Sequence, residues 1–314
     1  MRAVWSLWTK PLFEGPGDRW IDLKANLLSW ILSFETVRAI YPETGLYTDS
    51  PGADLLVEGL GLNFQSVSTQ LDTLQGHDPG WWALGKLFAY ASESEPFIHF
   101  DSDVFLWRAL PEEITASALV AQSPEVLTEE RKLYYRPEVL ESAVAKAGKG
   151  WLPKEWIWYR NAFPGVPYAV CCGILGGHDL EFIHRYAGLA FEMLGRAENA
   201  GAISAIERKH DHMVLTEQFL LAAVLEYERS VLGSTREVGY LFSSPECANT
   251  EAPRLGYTHF IGGSKRNPRL IAKVEDRVRS KYPETYQRCL GVIKTRQPSI
   301  PSGRYQFAAP FRSA

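Results

Sequence analysis

Strand-like and helix-like segments alternate along most of this chain, and that alternation limits what it can fold into more than any other feature. A strand-like run over 3–8 leads into a stretch where Trp20, Leu23, Leu27, Ile31, Phe34 and Val37 recur at helical spacing, with Asp18 as the expected N-cap. Residues 45–49 read as a second strand, 53–59 as a short helix and 64–68 as a third strand. After Pro79-Gly80, a helix containing Trp81, Trp82, Leu84, Leu87, Phe88 and Tyr90 feeds the apolar run Pro96-Phe97-Ile98-His99-Phe100. Further strands are expected over 117–122 and 168–177, the second ending in Gly176-Gly177 and followed by a helix over 179–194. Such alternation specifies the α/β class, with a mostly parallel central sheet flanked by helices. At 314 residues and 46% hydrophobic content the chain can bury a large core, and a single domain over 1–314 is expected.

The charge pattern narrows the function. A net charge of −4 without any long block of Lys or Arg argues against a partner held by phosphate attraction, so no nucleic acid is expected. No apolar run approaches the ~18 residues of a membrane span. The start, Met1-Arg2-Ala3-Val4-Trp5, runs straight into strand-like sequence and lacks the pattern of a signal peptide. Four cysteines, of which only Cys171 and Cys172 are adjacent, match neither a zinc spacing nor a disulfide framework, so a cytoplasmic setting is expected.

The chemistry concentrates at Asp101-Ser102-Asp103, directly after the apolar run 96–100. Two carboxylates at a turn that ends a buried strand can converge on one divalent ion, although an Asp-x-Asp in a surface turn is also common. Far downstream, His259-Phe260-Ile261-Gly262-Gly263-Ser264-Lys265 follows the β-prone stretch 256–258. Its imidazole can complete a metal site begun by Asp101 and Asp103, Gly262 lets the backbone approach a phosphate, and Lys265 balances phosphate charge. The combination points to a metal-bound diphosphate.

In these motifs the chain resembles the GT-A-fold glycosyltransferases of the retaining, glycogenin- and galactosyltransferase-like type (glycosyltransferase family 8-like), which pair DxD with a late HxxGxxK motif. The correspondence lies at Asp101, Asp103, His259, Gly262 and Lys265, while Arg266 and Asn267 stand where the family continues with Pro-Trp. The resemblance implies a GT-A-type fold with a nucleotide-binding half over 1–122 and an acceptor-side half with the closing motif over 123–314. It implies Mn²⁺ or Mg²⁺ held by Asp101, Asp103 and His259, with Asp101 also touching the donor's ribose. The expected donor is a nucleotide-sugar, a UDP-sugar in the family, and the acceptor is unknown. Members carry a basic residue on the helix before the DxD strand; Lys86 would fill that place as a point charge on the donor, or be a solvated helix lysine. They also carry an Asn-x-Gly segment along the donor sugar, where this chain has Cys171 and Gly173. Glu217-Gln218 falls at the family's Asp-Gln pair, which faces the reacting sugar, or else is an exposed helix pair. Gln218, Glu217 and Lys265 are therefore the expected catalytic residues. The alternatives to a transferase are a metal-dependent nucleotide-sugar phosphohydrolase and a non-catalytic nucleotide-sugar binding protein.

Three further stretches invite two readings each. Trp151, Trp156, Trp158 and Tyr159 could form an acceptor platform or part of the core. His210-Asp211-His212 reads as a polar loop or cap rather than a metal site, because side chains at i and i+2 share a face only in extended chain. Residues 123–154, with Glu129-Glu130-Arg131-Lys132 and Lys146–Lys149, are the expected place for acceptor-side insertions or a lid.

Overall fold

The opening residues set the layers. In β1 (Arg2–Leu7), Ala3, Val4 and Trp5 are all fully buried, yet Val4 joins one hydrophobic cluster and Ala3 and Trp5 the other. A strand whose successive side chains enter opposite cores must run through the middle of a sheet covered on both faces. The computed structural model, which describes residues 1–15, 20–127, 135–148, 150–164 and 168–296, has this α/β arrangement.

The central sheet has seven strands in the order β3-β2-β1-β4-β7-β6-β8. Beyond β1, these are β2 (Thr44–Thr48), β3 (Ser66–Ser68), β4 (Phe97–Phe100), β6 (Leu119–Val126), β7 (Tyr168–Gly177) and β8 (Val238–Tyr240). β1, β2, β3 and β4 pair in parallel, as do β6 and β8; β7 is antiparallel to both its neighbours and is the one reversed strand. A second, two-stranded sheet joins β5 (Val104–Leu106) to β9 (Tyr257–His259) in antiparallel register, with Val104 opposite His259.

One face is covered by the helices Leu84–Ser92, Leu180–Gly195 and Leu220–Val231. The other carries the helix Leu23–Arg38, which is itself overlaid by Pro268–Lys281 and Pro283–Arg296. Leu23–Arg38 is therefore buried nearly all round, as a helix packed on two sides requires. Its N-cap is Asp22, whose side chain accepts from Ala25 N at 2.7 Å; Asp18 lies outside the described residues. Trp156 and Tyr159 are fully buried and pack on Phe219 with ring centroids 4.7 and 5.4 Å apart, so these two are core and not an acceptor platform. His210, Asp211 and His212 sit in the helix Lys209–Val214, where residues two apart point to different sides. Of the stretch expected to hold insertions, Glu129-Glu130-Arg131-Lys132 and Lys149 lie outside the described residues, and Pro137–Lys146 is a helix.

The chain runs from β1 outward through β2 to β3, then returns to place β4 on the other side of β1. That reversal of direction makes the carboxyl ends of β1 and β4 a topological switch point, the position where open α/β sheets bind ligands. Asp101 is the first residue past β4. Among the described residues, no helix is long and apolar enough to cross a membrane.

Candidate metal centre

The acidic turn is fixed from three directions. Asp101 N donates to Gly173 O at 3.0 Å, tying the end of β4 to β7. From the helix Leu23–Arg38, Ser29 Oγ donates to Ser102 O at 2.7 Å and Ser33 Oγ to Asp101 O at 3.2 Å. Ser29 and Ser33 lie one helical turn apart in an otherwise apolar run, and this spacing aims both hydroxyls at the turn. The β5–β9 pairing does the rest: Phe260 N donates to Asp103 O at 3.0 Å, which delivers His259 to the Asp103 side chain.

Two ammonium groups flank the carboxylates. Lys265 Nζ stands 2.6 Å from Asp103 Oδ2, and His259 Nε2 3.5 Å from Asp103 Oδ1. Burial pushes the Asp103 carboxyl up, but the Lys265 ammonium outweighs it and holds the group well below the usual carboxylate range. Asp101 differs. Burial raises its carboxyl above the ordinary value, Lys86 opposes the shift and the neighbouring Asp103 adds to it. Lys86 is no solvated helix lysine. It is buried, and its Nζ reaches Asp101 Oδ1 at 2.8 Å, Glu217 Oε1 at 2.5 Å and Cys172 O at 3.1 Å, which accounts for all three of its protons. Desolvation works against that ammonium, yet the two carboxylates hold its affinity for protons well above the ordinary lysine value.

Glu217 is fully buried rather than exposed, and its carboxylate faces Lys86. It lies in a widened π-type turn, Leu215–Phe219, that opens the helix Leu220–Val231. Its neighbour Gln218 accepts a hydrogen bond from Tyr135 Oη. The structure thus joins Asp101, Asp103, His259, Lys265, Lys86 and Glu217 in one cluster, with Gln218 turned to a separate tyrosine partner. Gly262 adopts φ +54°, in the left-handed region, with open space beside it, and starts the short turn Gly262–Arg266 that carries Lys265. The Lys265 ammonium also lies 5.6 Å from the centroid of the Trp20 ring.

Sequence reasoning missed the groups that hold these ones. Gln122, buried on β6, has its side-chain oxygen 2.7 Å from His259 Nδ1 and accepts from Tyr257 Oη at 2.7 Å. Its only signal in the sequence was a polar residue closing the apolar run 117–122. His99, on β4, contacts Ser6 Oγ through Nε2 at 2.9 Å; burial first and Lys86 second push its pKa well below the ordinary histidine value, so the ring is neutral. Gly173 is needed for room: a Cβ there would stand 2.5 Å from Nδ1 and Cε1 of His259 and closer still to Gln122 Oε1. Gly173→Ala should therefore displace the imidazole, weakening Mn²⁺ binding by roughly 10-fold or more while costing about 1–3 kcal/mol of stability. Mn²⁺ titration alongside thermal unfolding reads both, and unchanged affinity would mean the ring has somewhere else to go.

Asp101, Asp103 and His259 each offer one ligand atom, and these atoms lie within 4.8 Å of one another. Two carboxylate oxygens and an imidazole nitrogen suit a divalent ion such as Mn²⁺, Mg²⁺ or Zn²⁺. The fold and this cluster together define an α/β protein with a carboxylate–imidazole cluster, able to hold a metal ion, beyond the end of β4. Residues 1–292 match the model of the family of unknown function DUF6734, and the chain belongs to that family. No curated protein matches it.

Proposed function

We propose that the protein is a metal-dependent glycosyltransferase of the GT-A type, which moves a sugar from a nucleoside-diphosphate donor, a UDP-sugar by resemblance, to an acceptor. The observation that carries this reading is that two motifs remote in sequence meet on a single carboxylate, since Asp103 is contacted by both His259 and Lys265. They meet beside β4, at the switch point where a nucleotide is expected.

In this reading Asp101, Asp103 and His259 hold the ion, which neutralises the diphosphate as a Lewis acid when bound. The bond from the anomeric carbon to the diphosphate oxygen breaks, and its electron pair leaves with the diphosphate. The acceptor hydroxyl forms the new glycosidic bond and gives up its proton to the departing phosphate. Lys265 places its ammonium beside that leaving group, where negative charge grows. Lys86 and Glu217 act from beneath: Glu217 holds Lys86, and Lys86 holds Asp101 against the like charge of Asp103. By resemblance Gln218 would face the sugar, which requires its side chain to leave Tyr135.

Thermal unfolding with UDP, in the presence and absence of Mn²⁺, tests the reading. At UDP ~100-fold above its Kd the native state gains about 2.7 kcal/mol, visible as a rise in Tm of several degrees. That rise should require Mn²⁺, and UDP should be released from a UDP-hexose when a suitable acceptor is supplied. A shift that ignores metal would overturn the proposed site. Full-rate hydrolysis without acceptor would favour the phosphohydrolase, and binding without turnover across acceptors would favour the non-catalytic binding protein.

A further inference from the structure

We propose that Gln122 is a positioning residue that fixes the tautomer of His259, so that Nε2 presents a lone pair to a divalent cation. The inference rests on the metal centre described above but not on sugar transfer. Neutral imidazole carries its proton on one nitrogen, and whichever nitrogen donates leaves the other to bind metal. The Gln122 side-chain oxygen lies 2.7 Å from His259 Nδ1. An amide oxygen can only accept, so Nδ1 carries the proton and Nε2, the nitrogen nearer Asp103, is left bare.

The surroundings leave little freedom. Tyr257 Oη, whose hydroxyl can donate, reaches the same oxygen at 2.7 Å and fills its second lone pair. Tyr257 and His259 are alternate residues of β9, so their side chains leave the strand on the same side, towards Gln122. Gln122 is itself anchored: Phe242 N donates to its backbone oxygen at 2.9 Å, and the side chain is almost wholly buried. Gly173 leaves the ring the room it needs, since a methyl group there would collide with both partners. The opposite orientation of the Gln122 amide would present its NH₂ to both neighbours. Nδ1 would then have to accept and Nε2 would carry the proton towards Asp103, leaving no ligand on His259. The two orientations predict opposite results.

The test uses the full chain and Mn²⁺ alone, with free Mn²⁺ followed by electron paramagnetic resonance. Gln122→Met keeps the volume and removes the acceptor, and should weaken Mn²⁺ binding by roughly 10- to 100-fold, the usual effect of losing such a supporting group. Gln122→Glu keeps an acceptor and no donor, and should bind Mn²⁺ at least as tightly as the parent. Tyr257→Phe removes the other hydrogen bond to the same oxygen and should change affinity less than about 3-fold while lowering Tm. A Gln122→Glu variant that loses Mn²⁺ while Gln122→Met retains it would overturn the assignment, as would equal effects of Gln122→Met and Tyr257→Phe on affinity. ¹⁵N chemical shifts of His259 in the metal-free parent read the tautomer directly and do not depend on any variant folding. Protonated Nδ1 supports the assignment, and protonated Nε2 overturns it even if the parent binds Mn²⁺. A parent that binds no Mn²⁺ removes the metal centre and this inference together.

Discussion

Replacing Asp103 by Ala should lower transfer activity ~10²-fold or more and abolish the Mn²⁺-dependent part of UDP binding, while the protein stays folded. Asp103 is the one carboxylate that both His259 and Lys265 contact, so its loss removes a ligand and frees the two groups that the ligand organises. The fold should persist because the turn is held through backbone atoms, by Ser29, Ser33, Gly173 and Phe260, none of which needs the Asp103 side chain. Lys265 keeps partial access to water and can leave the site without stranding a charge. Activity, UDP-induced thermal shift with and without Mn²⁺, and far-UV circular dichroism separate these outcomes. An active variant would dismiss the metal assignment.

Lys86→Met should act in the opposite way, on stability first. Lys86 Nζ stands 2.5 Å from Glu217 Oε1, and Glu217 is fully buried. Removing one partner of a buried ion pair costs about 3–5 kcal/mol, because the charge that remains is still buried. The pH dependence identifies the cause. In the parent, the Lys86 pKa is raised above its unfolded value, so its contribution is fully present below the ordinary lysine value of 10.5 and is lost only as pH rises through the folded pKa. In the variant, Glu217 loses the Lys86 ammonium and its folded pKa should rise above the unfolded value of about 4.3. The native variant then holds an extra proton at moderately acidic pH, so its deficit is largest at neutral pH and shrinks on acidification. Urea unfolding at pH 5 and pH 8 measures the difference. Equal stability of parent and variant at pH 8 would show that the pair carries no weight, whereas Lys86→Met with Glu217→Gln should recover part of the loss.

The two faces of the central sheet were legible because the apolar periodicity there was strong. The strand 168–177 was read with its observed bounds, and the helices after Asp22 and after Pro79-Gly80 were found within a few residues. β5, Val104–Leu106, and β8, Val238–Tyr240, went unread, being too short to show alternation and held in place by partners remote in sequence. In the site, side chains with a recognisable chemical spacing stood out: Asp101, Asp103, His259 and Lys265. Their supports did not. Gln122, Ser29 and Ser33 matter only through who lies opposite them, and a linear pattern carries no such information. Glu217 was found for its position in a motif, but its burial against Lys86 reflects tertiary packing that the neighbouring residues do not announce.

The reversed strand β7 has a consequence for how the chain reaches this state. It lies between β4 and β6, and the stretch up to the end of β6 is made before it, so a growing chain of that length has both edges waiting and nothing between them. Until Tyr168–Gly177 emerges, β4 is a bare edge, with unpaired amides and carbonyls ready to recruit a stray strand. Its pairing sets Phe97 opposite Gly177 and Phe100 opposite Ile174, contacts remote in sequence and therefore slow to form. Because the same strand supplies Gly173 and the Cys172 carbonyl, the cluster around Asp101 cannot be completed before the sheet is closed. The interval before β7 arrives is when the growing sheet is most exposed to misassembly.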